Sequence, residues 1–463
     1  MPDNMGPIRR MLERYSEEGA LRFHMPGHKG LAELPGACLD VTEVPGTDAL
    51  FDPQEGILEA ALDAAQAWGA GGSFLLVNGS TAGLQAMALW AKAQGRRLVL
   101  PRNSHLSAVY ACALADMQPI WAEPEWDRET QLFRWNAGHF LRHIPDEKSA
   151  VLLTYPDYYG RCIDIGAFIK QLDGRDSVLL ADAAHGAHFA FSAKLPPDAG
   201  TASAIWVTGA HKTLPAPTQT AFLHVKDAAV APDMARLLRG VTTSSPSYIL
   251  MAGLDEARAY MQAHRAETDE WLDNCMKFSS QINSLDGLRC WDDGDAARLG
   301  FARHDPTRIV VETSALGISG IEAGARLRAL GLQVEMCDLR RVVLVTSVMD
   351  GGERFDAAYE IFRKLSQQGG GRHFEGGGLT PPRRGCAVMT LREAWLSVSE
   401  EAELRLAVGR VAAEPFGAYP PGIPLCVPGE CIPADAVEWL EETEAAGAGF
   451  FGVRRGRVSV VKI

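Results

Sequence analysis

Between Phe74 and Val225 short apolar runs alternate with stretches of helical spacing, and that rhythm constrains the fold more than any other feature of the chain. The runs Phe74 to Val77, Arg97 to Leu100, Gln118 to Ala122, Ala150 to Thr154, Ser177 to Ala181 and Ala204 to Thr208 read as buried strands. Each is apolar, partly β-branched and bounded by small or polar residues. Such alternation predicts an α/β fold with a mainly parallel, helix-covered sheet. Two of the runs put an ionisable group at the mouth of that sheet: Ser177 to Ala181 ends in Asp182, and Ala204 to Thr208 leads into Gly209-Ala210-His211-Lys212. Open α/β sheets bind ligands at the carboxyl ends of their strands.

A lysine in such a place can lose its proton to desolvation and act as an amine nucleophile. Taken alone, Asp182 and Lys212 each favour a surface ion pair at a strand end. Their neighbours say more. Asp182-Ala183-Ala184-His185-Gly186-Ala187-His188, followed by Gly209-Ala210-His211-Lys212-Thr213-Leu214-Pro215, resembles the core of the fold-type-I pyridoxal-phosphate (PLP) enzymes. Within them it is most similar to the ornithine/lysine/arginine decarboxylases. That resemblance implies that Lys212 carries PLP as a Schiff base, that Asp182 pairs with the pyridinium nitrogen, and that Ala184 and His185 border the cofactor. Lys212 or His211 would return a proton to the substrate carbon.

The same family resemblance recurs along the chain. Arg22-Phe23-His24-Met25-Pro26-Gly27-His28-Lys29-Gly30 marks a tight turn. It and Val41-Thr42-Glu43-Val44-Pro45-Gly46-Thr47-Asp48-Ala49-Leu50 are similar to the family's amino-terminal arm, which lies near the active site. Asn78-Gly79-Ser80-Thr81-Ala82-Gly83 opens a helix from Leu84 to Ala93. Small hydroxyl residues and free amides at a helix start suit either a phosphate cradle or a plain cap. The resemblance favours the cradle, with Gly79, Ser80 and Thr81 on the phosphate. It also gives His105, in Pro101-Arg102-Asn103-Ser104-His105, the stacking place on the cofactor. Asp157, in Tyr155-Pro156-Asp157-Tyr158-Tyr159-Gly160, borders the cofactor region or caps a turn. Val241 to Tyr248, with Ser244 and Ser245, would reach the partner subunit's phosphate site, making a homodimer or larger homo-oligomer the working unit. Asp48 and Glu430 are the candidate carboxylates for a cationic substrate tail.

Three domains are expected: an arm over 1–50, a PLP-binding large domain over 51–290 and a small domain over 291–463, with a Gly-rich linker near 367–378. One long helix is expected from Ala252 to about Leu285, and another from Leu391 to Val411. Strands Arg308 to Glu312 and Val342 to Val345 flank a helix from Gly320 to Leu330. The ending Tyr419-Pro420-Pro421-Gly422-Ile423-Pro424-Leu425-Cys426-Val427-Pro428-Gly429-Glu430 is very like the family's carboxyl-terminal motif. The amino-terminal wing domain of the longer bacterial decarboxylases has no counterpart, which points to a short form. Three positions depart from the family pattern: Leu106, Ala183 and Gly209.

A formal charge of -13 argues against nonspecific nucleic-acid binding. No apolar run approaches the ~20 residues of a membrane span, and no secretory segment opens the chain, so a cytoplasmic protein is expected. The nine cysteines form no CxxC pairs, which suits reduced thiols and predicts no metal site. The expected activity is PLP-dependent decarboxylation of a basic amino acid, with arginine to agmatine ahead of lysine and ornithine. An aminotransferase or lyase on the same fold is the alternative, the former needing an arginine such as Arg308 for the substrate carboxylate. A PLP-binding regulatory protein without catalysis is the third reading.

Overall fold

Ile8, Met11, Leu12 and Tyr15 lie buried along the helix Pro7–Glu17, which has proline in its first turn. Proline suits that place because its fixed φ is helical and its missing N–H would have no helical acceptor. The helix Gly56–Trp68 stops at Gly69, which takes φ 59°, a left-handed conformation that glycine adopts without strain. The computed structural model describes residues 5–369, 374, 381–419, 422–445 and 447–462. They fall into two compact units: Met1–Trp90, Val178–Glu270 and Ser347–Met349 in one, and Ala91–Ser177, Trp271–Thr346 and Asp350–Ile463 in the other.

In the first unit the strands Gly72–Leu76, Ala221–Val225, Ile205–Thr208 and Ser177–Ala183 are hydrogen-bonded in that order. Ala221–Val225 runs against both of its neighbours, while Ile205–Thr208 and Ser177–Ala183 run parallel. Leu180, Ala181, Trp206, Val207, Phe222 and Leu223 are all fully buried, so these strands carry apolar side chains on both faces of the sheet. Burying each large apolar side chain contributes roughly 1.5–3 kcal/mol. The helix Tyr248–Ala263 starts on Ser247, whose hydroxyl accepts the Leu250 N–H. On that helix Asp255 Oδ2 accepts the Ile8 N–H at 3.3 Å, and Arg258 reaches both Asp255 and, at 3.1 Å, Asp63. One charge cluster, buried at Asp255 and Arg258, thus joins three helices.

The second unit has a parallel trio, Ser149–Thr154, Arg97–Pro101 and Ile120–Ala122. It also has a four-stranded antiparallel sheet in the order Arg289–Cys290, Arg308–Glu312, Arg341–Val345, Met336–Cys337. The helices Gly320–Ala329 and Gly352–Ser366 accompany that sheet.

Two expectations need correction. The stretch from Ala252 is two helices, Tyr248–Ala263 and Arg265–Asn283, divided at His264. The His264 ring stacks on Tyr260, and its Nδ1 lies 2.9 Å from the Tyr260 carbonyl that the His264 N–H also uses. From Leu391 only Leu391–Leu396 is helical, and Ser399–Glu403 is a strand paired antiparallel with Arg457–Val461. Ser399-Glu400-Glu401-Ala402-Glu403 has no strand propensity of its own, so pairing with the Val-rich partner decides its conformation. Most of the Gly-rich linker lies outside the described residues, as do Pro420 and Pro421. No helix among the described residues is long and apolar enough to cross a membrane.

Candidate active site

Ser177–Ala183 and Ile205–Thr208 run parallel with Asp182 opposite Val207 and Ala183 opposite Thr208. Asp182 and the turn after Thr208 therefore leave the sheet at the same carboxyl edge. Asp182 is buried, and its Oδ1 accepts the Ala184 N–H at 3.3 Å. The Gly186 N–H closes back on the Ala183 carbonyl at 2.9 Å, a turn that brings the buried His185 to the strand end. Beyond the neighbouring strand, Lys212 sits in the one-turn helix Ala210–Thr213. Its Nζ lies 3.0 Å from His185 Nε2. The His211 ring faces the other way, with Nδ1 2.9 Å from the Thr220 carbonyl.

The helix Gly79–Ala93 begins earlier than its apolar spacing suggests. Gly79 stands at φ 71° and donates its N–H to the Gln219 carbonyl at 2.8 Å. Gln219 is itself left-handed at φ 81°, and its Nε2 donates to the Val77 carbonyl at 2.7 Å. Gln219 was not legible as a site residue; its only local signal is a polar stretch just before a strand. The next amides of the helix have no intrahelical acceptor and point outward, an arrangement that attracts anions. Gly83 seats the helix on the strand leading to Lys212, since a Cβ there would stand 2.6 Å from Val207 Cγ2.

Ser80 Oγ is buried and has no hydrogen-bond partner among the described residues. A Cβ at Gly209 would lie 3.1 Å from that oxygen and 2.7 Å from the Ala184 carbonyl oxygen. A buried hydroxyl left unsatisfied costs about 1–3 kcal/mol, which marks Ser80 as waiting for an acceptor. An orphaned hydroxyl, a row of helix-start amides, a buried carboxylate and a lysine at one sheet edge fit a phosphate-bearing aldehyde with a basic ring nitrogen. The Thr81 side chain is exposed. Ser244 and Ser245 are exposed, in a segment tied to this edge by the Thr243 N–H on Asn78 Oδ1 at 3.2 Å.

Asp48 belongs to the same unit, but its carboxylate accepts four backbone N–H groups, from Ala49, Gln54, Glu55 and Ile57, at 2.8–2.9 Å. That engagement of both oxygens fixes the turn into the helix Gly56–Trp68. His105, Asp157, Arg308 and Glu430 belong to the other unit. His105 is exposed and caps the helix Leu106–Leu114, its Nδ1 accepting the Ser107 N–H at 3.2 Å. Asp157 binds the Tyr159 and Arg161 amides and the Arg161 guanidinium. Arg308 is buried in its strand, its guanidinium 5.9 Å from the centre of the Tyr158 ring. Glu430 is almost wholly buried; its Oε2 accepts Arg102 Nη2 at 2.8 Å and the Val427 N–H at 3.0 Å. Burial raises its pKa against the opposing pull of Arg102.

A family model described as "Orn/Lys/Arg decarboxylase, major domain" matches residues 6–296, and one for the C-terminal domain of the same family matches residues 387–455. The chain is 27% identical over 484 residues to the arginine decarboxylase of Bacillus subtilis (strain 168), across 100% of this chain and 98% of that protein. It is 32% identical over 463 residues to the uncharacterized protein YaaO of the same organism, across 94% of this chain and 93% of that one. Among solved structures, the constitutive lysine decarboxylase of E. coli superposes with a TM-score of 0.84 at 18% identity, covering 99% of this chain and 82% of that one. The expected architecture, the α/β fold of the fold-type-I PLP enzymes with a mainly parallel sheet, is the one observed.

Proposed function

The chain belongs to the Orn/Lys/Arg decarboxylase family, and from that premise we propose that this PLP-dependent decarboxylase acts on arginine ahead of lysine and ornithine and releases agmatine. The observation that carries the reading is the meeting of Lys212, His185 and Asp182 at one sheet edge beside the Ser80 hydroxyl. The arginine preference rests on the full-length likeness to the arginine decarboxylase of B. subtilis.

Lys212 would hold the cofactor through Nζ, and the amides of Ser80 and Thr81 with the Ser80 hydroxyl would hold its phosphate, on the turn shaped by Gly79. Bound PLP supplies a conjugated electron sink for the bond between Cα and the departing carboxylate. Asp182, buried at the strand end, would pair with the ring nitrogen and hold a proton there. His185 Nε2 is within hydrogen-bond reach of Lys212 Nζ, so it orients the amine that returns a proton to Cα. His211, engaged on the Thr220 carbonyl through Nδ1, shares that role only through its Nε2. The family resemblance sets Ala184 and His185 at the border of the ring.

The test is a panel of amino acids assayed together for carbon dioxide and for the matching amine. Arginine is expected to give agmatine and carbon dioxide in equal amounts. Faster turnover of lysine or ornithine overturns the substrate preference, and absence of carbon dioxide from every basic amino acid overturns the reading.

A further inference from the structure

Cys386 and Cys431 face each other across a short antiparallel pairing within the second unit. Ala387 and Glu430 form an antiparallel bridge. On either side of it the Val388 N–H donates to the Gly429 carbonyl and the Cys431 N–H to the Cys386 carbonyl, both at 2.9 Å. Residues 386 and 431 are therefore the next opposed pair. Opposed residues in antiparallel strands have Cα atoms about 4.5–5.5 Å apart, inside the roughly 4.4–6.8 Å that a disulfide spans. Gly385 permits the approach, since a Cβ there would stand 1.9 Å from the Cys431 carbonyl oxygen. Cys386 is exposed and Cys431 partly so, while five of the other seven cysteines are buried.

We infer that Cys386 and Cys431 form a reversible disulfide by exchange with a small-molecule disulfide. The exposed Cys386 thiolate attacks one sulfur of the small disulfide, joining to it and expelling one thiolate. Cys431 then attacks the Cys386 sulfur, forming the internal bond and expelling the second. Two protein thiols are oxidised, one disulfide is reduced to two thiols, and the two protons pass to the released thiolates. Burial and the neighbouring thiol push the Cys431 pKa up, so the first attack falls to the exposed Cys386. The bond would fasten the segment carrying Ala387 to the strand that carries Glu430, the partner of Arg102. In reducing compartments such pairs stay open and respond to oxidation.

The experiment treats the full-length, cofactor-loaded enzyme with glutathione disulfide, alkylates it in denaturant and maps the peptides by mass spectrometry. Cys386 and Cys431 are expected to lose alkylation together and to appear in one cross-linked peptide pair that dithiothreitol separates. Cys386→Ser and Cys431→Ser should each abolish the cross-link, and Cys38→Ser should leave it intact. Complete alkylation of both cysteines after treatment, a lasting glutathione adduct on Cys386 with Cys431 still free, or a cross-link to another cysteine overturns the inference.

Discussion

The ε-nitrogen of Lys212 and Nε2 of His185 stand 3.0 Å apart, although 27 residues separate them in the chain. Two adjacent parallel strands bring this about, one ending in Asp182-Ala183-Ala184-His185 and the other leading through Gly209 to the lysine. The imidazole holds the amine at the sheet edge and supplies a hydrogen-bond partner in either tautomer.

Replacing Lys212 with alanine should therefore remove both the visible absorbance of the cofactor-loaded enzyme and its turnover. No other described lysine lies in this strand-end turn. A variant that keeps the band and stays within tenfold of the wild-type rate would show that another amine holds the cofactor.

The Ser80 hydroxyl and the bare Cα of Gly209 share one small space. Ser80→Ala should weaken PLP binding by about 10- to 100-fold, the value of one charge-assisted hydrogen bond of roughly 1.5–3 kcal/mol. Gly209→Ser should also weaken binding and lower Tm. Its Cβ would press on the Ala184 carbonyl oxygen at 2.7 Å, and overpacking costs about 1–3 kcal/mol. Fluorescence titration of the apoenzyme with PLP checks both; tighter binding by Gly209→Ser would mean that the glycine is not a steric requirement.

Glu430 and Arg102 form a buried ion pair across 328 residues of sequence. Glu430→Ala leaves the guanidinium buried without its carboxylate, a change that costs about 3–5 kcal/mol. Glu430→Gln, which keeps a hydrogen-bond acceptor, should cost less. Urea denaturation measures the difference, and equal midpoints for the two variants would mean that the pair contributes little to the fold.

Asp198 gives the chain a pH dependence of its own. Burial lifts its carboxyl to about 7, only partly offset by the Gly200 and Ala199 amides and by Lys226. Between roughly pH 4 and 7 the folded chain retains a proton that the unfolded chain has released, so this group lowers stability as pH rises through that window. Asp198→Asn should gain at most about 4 kcal/mol relative to wild type at pH 8 and nothing at pH 4. An Asn–Asp difference that stays the same at both pH values would show that the carboxyl is not perturbed.

How much of this was legible follows from the range of the interactions. The strand Arg308–Glu312 and the helix Gly320–Ala329 are set by local periodicity, and both were readable. Asp182 and Lys212 were readable because each ends or follows an apolar run. The strand Ser399–Glu403 was not, because its conformation depends on pairing with Val461 and its neighbours some sixty residues later. Asp48 looked like a free carboxylate because acceptance of four backbone amides leaves no pattern in composition or spacing. Glu430 hid its partner because Arg102 lies 328 residues away in the sequence.

The last prediction concerns assembly. Leu21, Phe23, Met25, Leu31 and Leu34 are 60–87% exposed within one short stretch of the arm, an apolar concentration that marks an interaction surface. Ser244 and Ser245 are exposed as well, in a segment whose base is held by Asn78 next to the Gly79 helix start. We propose that a second copy of the chain covers the arm and that each phosphate site takes its Ser244 and Ser245 from the partner, in a two-fold arrangement. Dilution should then reduce activity and cofactor retention together. A Lys212→Ala chain and a chain with both serines changed to alanine are each inactive or nearly so in this arrangement. In a mixed dimer, one of the two sites combines an intact Lys212 with intact partner serines, so activity should partly return on mixing. Demonstrated exchange of subunits with no recovery would show that each chain builds its site alone.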